Sequence, residues 1–272
     1  MIILRCIRGG FRNLVYYYMD TDNKKIKLLI LIPNLHCGGS ENYVTILCDH
    51  MDTDVFDITL AVLDNANPFY TIKNSSIVVI DLKVKRVRNS FFAIKKLVQH
   101  KQPDMIFSLS SHLNLYLAIC RRLFPKKIKW VARESSIVSI NNRRTGFPTL
   151  YHWLVKKFYR RFDRIICQSG YMQQDLIANF NIPVSKTILI HNPVESRAEN
   201  NAGAIARAAK FKFITVARLS AEKGIDRLIR TVARLSLSFQ YYIIGEGDQR
   251  DSLEKLILQL KNIPQEHSQN LP

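Results

Sequence analysis

Two cations on one short segment, Arg218 and Lys223, are the first candidates for chemistry in the sequence. Arg218 follows the apolar run Phe211–Ala217, and Lys223 precedes Gly224 at the start of an amphipathic stretch. Both cations therefore fall where a predicted strand leads into a predicted helix, which is the edge at which open α/β sheets bind ligands. An arginine fork, a mobile lysine and a helix N-terminus suit a diphosphate. The alternative is a pair of solvated surface cations, the usual state of these residues.

A pair of glycines, Gly38 and Gly39, follows the predicted strand Lys27–Pro33 and precedes a predicted helix. Paired glycines let a backbone approach a phosphate or a sugar closely, and the helix N-terminus behind them favours an anion. An ordinary tight turn with Ser40 as the helix N-cap explains the same residues.

A second glycine-containing loop, Gly245-Glu246-Gly247, follows the predicted strand Gln240–Ile244. It does not complete a dinucleotide fingerprint, because Arg250 occupies the position of the third glycine. The loop either lines a ligand cleft or forms a plain turn with Asp248 as the helix cap.

One histidine, His112, lies just past the predicted strand Met105–Leu109 at the start of a helix. An imidazole at that position can hydrogen-bond a sugar hydroxyl or a charged leaving group. A histidine that is structural or simply exposed is the alternative.

Strand-length apolar runs alternate with amphipathic helical stretches along most of the chain. This alternation predicts βαβ units and parallel, doubly wound sheets of Rossmann type. The predicted strands are Lys27–Pro33, Ile58–Leu63, Ile77–Ile80, Met105–Leu109, Ile128–Ala132, Arg164–Cys167, Thr187–Ile190, Phe211–Ala217 and Gln240–Ile244.

A polar segment divides the predicted strands into two series and predicts two domains. The predicted organisation is an N-terminal extension (1–23), a first domain (24–193), a linker (194–210) and a second domain (211–272). Because the second series holds only two evident strands, we expect the second domain to be incomplete.

The composition is that of a globular protein, with 272 residues, 47% of them hydrophobic and 23% charged. The net charge of +18 indicates a polyanionic partner. Between Asp81 and Asp104, and again between Glu134 and Asp163, there is no acid, and basic residues are mixed with aromatic ones. Such stretches suit a helix in an anionic lipid interface, or a solvated basic face whose aromatics pack inward.

Because no apolar run has the length of a membrane span or signal peptide, we expect a cytoplasmic protein.

Several functional classes leave no signature in the sequence. There is no phosphate-binding GxxxxGK[ST] loop, no HExxH, no GxSxG and no paired Cys/His metal spacing, so neither a hydrolase triad nor a metalloenzyme is expected. Nor is there a helix-turn-helix, RRM or zinc-finger pattern, so nucleic acid is not the expected partner.

Taken in order, five segments resemble the retaining glycosyltransferases of family 4. They are LIPNLHCGGSENYV, DRIICQSGYMQQDLI, ILIHNPVE, FITVARLSAEKGIDRLI and YYIIGEGDQRDSLEKLI. The resemblance covers roughly Lys27–Leu260 and implies the GT-B architecture of two facing Rossmann-like domains. In that family the second domain continues past the position of Leu260, with a glutamate pair that helps to bind the donor, so the resemblance also implies a truncated second domain.

The resemblance implies a role for each candidate residue. Gly38 and Gly39 would face the donor diphosphate, and Gly245, Glu246 and Gly247 would line the cleft near the nucleotide. His112 would lie near the transferred sugar, while Arg218 and Lys223 would neutralise the departing diphosphate. Because protein cations do this work, no metal or other cofactor is expected.

The predicted function is transfer of a sugar from a nucleotide-diphosphate-sugar donor to a glycan or polyprenyl-phosphate-linked acceptor, in envelope polysaccharide synthesis. The basic first domain would meet an anionic membrane surface, which predicts a cytoplasmic protein held peripherally on the inner face of the cytoplasmic membrane. The alternative is a catalytically inactive remnant that binds only a membrane or a partner.

Overall fold

The chain divides into two compact units, Met1–Ser196 and Arg197–Pro272. The structure, a computed structural model, describes residues 24–143, 145–193 and 211–261. The predicted extension (1–23), the predicted linker (194–210) and the end of the predicted second domain (262–272) lie outside these residues. The division between the units falls within the predicted linker.

The first unit is built on a parallel sheet of seven strands in the order β3-β2-β1-β4-β5-β6-β7. From β1 the chain adds strands on one side and then, from β4, on the other. This reversal between β1 and β4 is the topological switch point of a doubly wound sheet. The strands are β1 (Ile26–Ile32), β2 (Phe56–Val62), β3 (Val78–Asp81), β4 (Met105–Leu109), β5 (Lys129–Arg133), β6 (Arg164–Cys167) and β7 (Thr187–Leu189).

Helices cover both faces of this sheet, which explains the continuous apolar runs of its central strands. In β1, every residue from Leu28 to Ile32 is buried. Alternate residues feed two separate cores: Leu29 and Leu31 join one, and Leu28, Ile30 and Ile32 join the other. The helices of this unit are α1 (Gly39–His50), α2 (Phe91–Lys101), α3 (Ser111–Cys120), α4 (Val138–Asn142), α5 (Pro148–Phe158) and α6 (Gly170–Phe180).

The second unit, in its described part, contains a parallel pair of strands and two helices. The helices pack on one face of the pair around Leu219, Ile229 and Leu256. The apolar side chains of the opposite face, among them Ile214 and Ile244, are exposed. The elements are β8 (Phe211–Val216), α7 (Ile225–Val232), β9 (Phe239–Ile244) and α8 (Arg250–Lys261).

All the predicted strands are present, and their bounds differ from the prediction by at most two residues. The N-cap residues of two helices differ from those that the sequence suggested. The helix α1 begins at Gly39, because the Gly38 carbonyl already accepts the Asn42 N–H at 3.0 Å, so Ser40 lies inside the helix and is not its N-cap. In α8, Gln249 and not Asp248 occupies the corresponding position, since its carbonyl accepts the Leu253 N–H at 2.9 Å.

Candidate functional site

The carboxyl edge of the first sheet brings Gly38, Gly39 and His112 to the two sides of the switch point. The glycines follow β1 and His112 follows β4, and these strands are neighbours in the sheet. A Cβ on residue 39 would meet no atom within 4 Å, so the space above Gly39 is open. A Cβ on residue 38 would meet only the flexible Glu41 side chain. The glycine loop therefore leaves room for a ligand above the N-terminus of α1.

His112 is exposed in the first turn of α3, and its backbone is held by an unusual turn. The residue that precedes this helix, Ser110, has φ 88° and ψ 124°, a backbone conformation that residues other than glycine rarely adopt. Such strain persists only where surrounding contacts enforce it. The next residue, Ser111, makes such a contact.

A buried carboxylate, Glu134, anchors the start of α3. It accepts hydrogen bonds from Ser111 Oγ at 2.6 Å, Asn114 Nδ2 at 2.7 Å and Tyr159 Oη at 2.8 Å. Burial raises the pKa of Glu134, against the lowering effect of these three donors and of Arg133. Asn114 also donates to the Arg133 carbonyl at 3.0 Å. The network therefore joins α3 to the carboxyl end of β5 and fixes the backbone that presents His112.

The residue before Glu134, Arg133, is the second buried charge at this edge, with 1% of its surface exposed. Its guanidinium lies over the Tyr43 ring, with Cζ 3.7 Å from the ring centroid, and Nη2 donates to Asn192 Oδ1 at 2.7 Å. Burial lowers the pKa of Arg133, and Tyr43 and Glu134 oppose this shift. Neither buried charge was predicted from the sequence, although an Arg-Glu pair at the end of an apolar strand is a visible signal.

In the second unit, Arg218 and Lys223 lie on one strand-to-helix loop, as predicted from the sequence. Arg218 is exposed just after β8, and Lys223 is exposed at the end of a 3₁₀ turn, Ala221–Lys223. Gly224, with φ 62°, then turns the chain into α7. The helix dipole disfavours a cation such as Lys223 just before a helix N-terminus, and it favours an anion bound at the same place. The loop therefore has the charge and the backbone groups to hold a diphosphate.

The neighbouring loop, Gly245-Glu246-Gly247, is joined to the Arg218 loop by backbone hydrogen bonds. Leu219 N–H donates to the Glu246 carbonyl at 2.9 Å, which extends the pairing of β8 and β9 into both loops. A Cβ on Gly247 would overlap the Leu219 carbonyl, so this glycine is required for packing. The Glu246 carboxylate pairs with Arg250 at the surface. The structure therefore brings the predicted donor-binding residues of this unit to one edge, and their contact with a donor stays a prediction.

Basic and aromatic residues lie together on α5, on Phe147 before it and on the turn Tyr159–Arg161 after it. We call the exposed residues of this stretch the basic–aromatic surface. Phe147, Leu150 and Trp153 are each more than half exposed. Lys157 Nζ lies 4.3 Å from the centroid of the Trp153 ring. Within the same stretch the side chain of Tyr159 is fully buried. Some aromatic side chains of this stretch therefore pack in the core, and others are exposed to solvent.

Two of the basic residues in this stretch have structural contacts. Arg161 Nη1 donates to the Ala118 and Ile119 carbonyls at 3.1 and 2.7 Å, and Arg160 Nη2 donates to the Asn181 carbonyl at 2.8 Å. Lys156 and Lys157 are therefore the better candidates for contact with lipid. No helix in residues 24–143, 145–193 and 211–261 is long and apolar enough to cross a bilayer.

Comparison with known proteins matches both units to glycosyltransferase families. The family model described as Glycosyltransferase Family 4 matches residues 37–197, which is more than half of the chain. The chain belongs to glycosyltransferase family 4. A second model, described as Glycosyl transferases group 1, matches residues 197–267. These matches confirm the family expected from the five sequence segments.

One named relative is also a glycosyltransferase. The chain is 29% identical over 245 residues to the N-acetylgalactosamine-N,N'-diacetylbacillosaminyl-diphospho-undecaprenol 4-alpha-N-acetylgalactosaminyltransferase of Campylobacter jejuni, an alignment that covers 86% of this chain and 66% of that protein.

Two solved structures show the same fold. Anabaena HepE in complex with UDP has a TM-score of 0.64 at 18% identity, covering 88% of this chain and 66% of that one. Sucrose-phosphate synthase from Thermosynechococcus elongatus has a TM-score of 0.67 at 15% identity, covering 87% and 68%. The chain thus spans about two thirds of the length of these relatives. The GT-B fold class is confirmed, with two strands described in the second domain.

Proposed function

We propose that this protein transfers a sugar from a nucleotide-diphosphate-sugar donor to a lipid-linked glycan acceptor. The observation that carries the proposal is the loop between β8 and α7, which bears the exposed cations Arg218 and Lys223. Two exposed cations on one strand-to-helix loop match the charge of a diphosphate. Membership of family 4 supports the same reading.

In the proposed reaction the bond between the anomeric carbon and the diphosphate oxygen breaks, a hydroxyl oxygen of the acceptor takes its place, and the hydroxyl proton passes to the departing diphosphate. Negative charge grows on the departing diphosphate, so Arg218 and Lys223 stabilise the transition state more than the ground state. His112 contacts the transferred sugar, held in place by the strained turn at Ser110. Since the two cations perform the neutralisation, the proposal requires no metal.

The acceptor is proposed to be a glycan on a polyprenyl phosphate or diphosphate, because the named Campylobacter relative acts on a diphospho-undecaprenol-linked substrate. Such an acceptor resides in a membrane. The basic–aromatic surface supplies a matching attachment: lysines for anionic headgroups, and Phe147, Leu150 and Trp153 for the interface. We therefore place the protein peripherally on the inner face of the cytoplasmic membrane.

The experiment that tests this function is a transfer assay. The purified protein is mixed with vesicles that contain an undecaprenyl-diphosphate-linked saccharide and with a panel of UDP- and GDP-sugars, and the lipid is analysed by mass spectrometry. We expect one donor to add a single sugar to the lipid, and the variant His112→Ala to reduce the rate while donor affinity stays within twofold. Binding of nucleoside diphosphates and vesicles without any transfer would overturn the proposal in favour of a non-catalytic binding protein.

A further inference from the structure

The helix α3, whose first turn carries His112, is held at both ends by one short segment of the chain. That segment is the 3₁₀ turn Tyr159–Arg161, which directly follows α5. The side chain of Tyr159 reaches the first residue of α3, and the side chain of Arg161 reaches its last turn. Because the two contacts lie about 12 Å apart along the helix, together they fix both the position and the tilt of α3.

The N-terminal contact depends on the hydroxyl of Tyr159. The side chain is completely buried, Oη donates to Glu134 Oε1 at 2.8 Å, and the same oxygen lies 3.3 Å from the Ser111 carbonyl oxygen. Burial raises the pKa of Tyr159 well above its ordinary range, so the hydroxyl keeps the proton that it donates. Within the described residues Ser110 makes no side-chain cap for α3, so contacts from other elements hold the start of this helix.

The C-terminal contact is charge-assisted. Arg161 Nη1 donates to the carbonyls of Ala118 and Ile119 at 3.1 and 2.7 Å. These carbonyls are among the last four of the helix, which have no partner within it. Because α3 has no basic residue in its own last turn, Arg161 supplies the cation that the helix dipole favours there. The guanidinium also lies over the Phe158 ring, with Cζ 4.3 Å from the ring centroid, which restricts its movement.

The backbone of His112 moves with the N-terminal end of α3, because His112 comes one residue after Ser111. Its exposed side chain follows the strained turn at Ser110. In an enzyme, a misplacement of about 1 Å caused by a change far from the chemistry can lower the rate about a hundredfold. A loss of either contact therefore lets α3 shift and changes the position of His112.

We propose that Tyr159 and Arg161 are positioning residues for sugar transfer, which set the place of His112 against the transferred sugar by holding α3 at both ends. Both residues act through the helix and not by contact with a substrate. This inference deepens the proposed function and rests on it for the role of His112.

The test is a double-mutant cycle in the vesicle transfer assay with the panel of UDP- and GDP-sugars. Tyr159→Phe removes the hydroxyl and keeps the ring, while Glu134 keeps its other two donors. We expect kcat to fall at least about fivefold, with the KM of the donor within about twofold. In the His112→Ala background the same change should lower kcat less than about twofold, because the residue that the hydroxyl positions is gone. Equal losses in both backgrounds would overturn the proposal, since a purely structural role does not depend on His112.

Tyr151→Phe is the matched control. This half-buried tyrosine also belongs to α5, but its hydroxyl makes no hydrogen bond with α3 in the part of the chain that the structure describes. Its removal should leave kcat within about twofold. A loss as large as that in Tyr159→Phe would assign the effect to packing around α5 and would contradict the role of the Tyr159 hydroxyl.

Arg161 tests the other end of the helix and covers the case in which Tyr159→Phe does not fold. Arg161→Met changes a partly exposed side chain, so we expect it to fold and to lose kcat. Arg161→Lys should retain most of kcat, because its ammonium can donate to the same carbonyls. Equal kcat in Arg161→Met and the wild type would overturn the proposal. Absence of transfer by the wild type overturns the proposed function and this inference together, whereas an active wild type with unchanged variants overturns this inference alone.

Discussion

Gly245 passes against the backbone of Ala217 so closely that any Cβ on residue 245 would overlap the Ala217 carbonyl oxygen. Gly245 also has φ 154°, a backbone conformation that favours glycine. The contact extends the β8–β9 pairing, in which Ala217 N–H donates to the Ile244 carbonyl at 3.1 Å. This glycine therefore has a packing role that holds the Arg218 loop beside the Glu246 loop.

Gly245→Ala should destabilise the second unit by about 1–3 kcal/mol, the cost of one strained backbone position. Hydrogen exchange of the amides in β8 and β9 measures this loss locally. Gly170→Ala is the matched control, because a Cβ there meets no atom within 4 Å. Equal protection of β8 and β9 in both variants would show that the close approach to Ala217 does not constrain this loop.

The buried Glu134 should make the stability of the first unit depend on pH. Burial holds the pKa of Glu134 above its ordinary 4.5, so the folded protein keeps the proton to higher pH than the unfolded chain does. This contribution to stability is complete below about pH 4.5 and is lost as pH rises through the folded pKa. In Glu134→Gln the amide can donate to Ser111 Oγ, and nothing titrates at this position.

We therefore expect the stability of the wild type to fall relative to Glu134→Gln between pH 4 and pH 8. Urea unfolding followed by tryptophan fluorescence measures it in the first unit alone, because both tryptophans, Trp130 and Trp153, lie there. A wild type that gains stability relative to the variant with rising pH would contradict the direction assigned to this pKa.

Replacing Lys156 and Lys157 by Gln should weaken binding to anionic vesicles more than tenfold, because each cation near such a surface contributes about 1 kcal/mol. Co-sedimentation with phosphatidylglycerol vesicles measures it. Lys24→Gln/Lys25→Gln, which changes two adjacent exposed lysines, should leave binding within twofold. Equal losses in the two double variants would indicate a response to net charge and not to the basic–aromatic surface.

The strands could be predicted from sequence because residues buried on both faces leave continuous apolar runs, as in Leu28–Ile32.

The candidate site was only partly predictable from sequence. Gly38, Gly39 and His112 could be placed at one edge because each follows a strand. The Glu134 network could not be found, since its donors Ser111, Asn114 and Tyr159 are distant in sequence and ordinary in type. The alternative interpretation of the glycine loop, with Ser40 as the N-cap of α1, was wrong because the Gly38 carbonyl already accepts the first helical hydrogen bond.

Titration of UDP and GDP into the protein measures directly whether the loop after β8 binds a diphosphate. We expect at least one of these nucleotides to bind, and Arg218→Ala and Lys223→Ala each to weaken its binding about ten- to a hundredfold, the value of one charge-assisted contact. Lys212→Ala, which changes an exposed lysine on β8, should bind like the wild type. Absence of binding by both nucleotides, or equal affinity in all four proteins, would contradict a diphosphate site on the loop after β8.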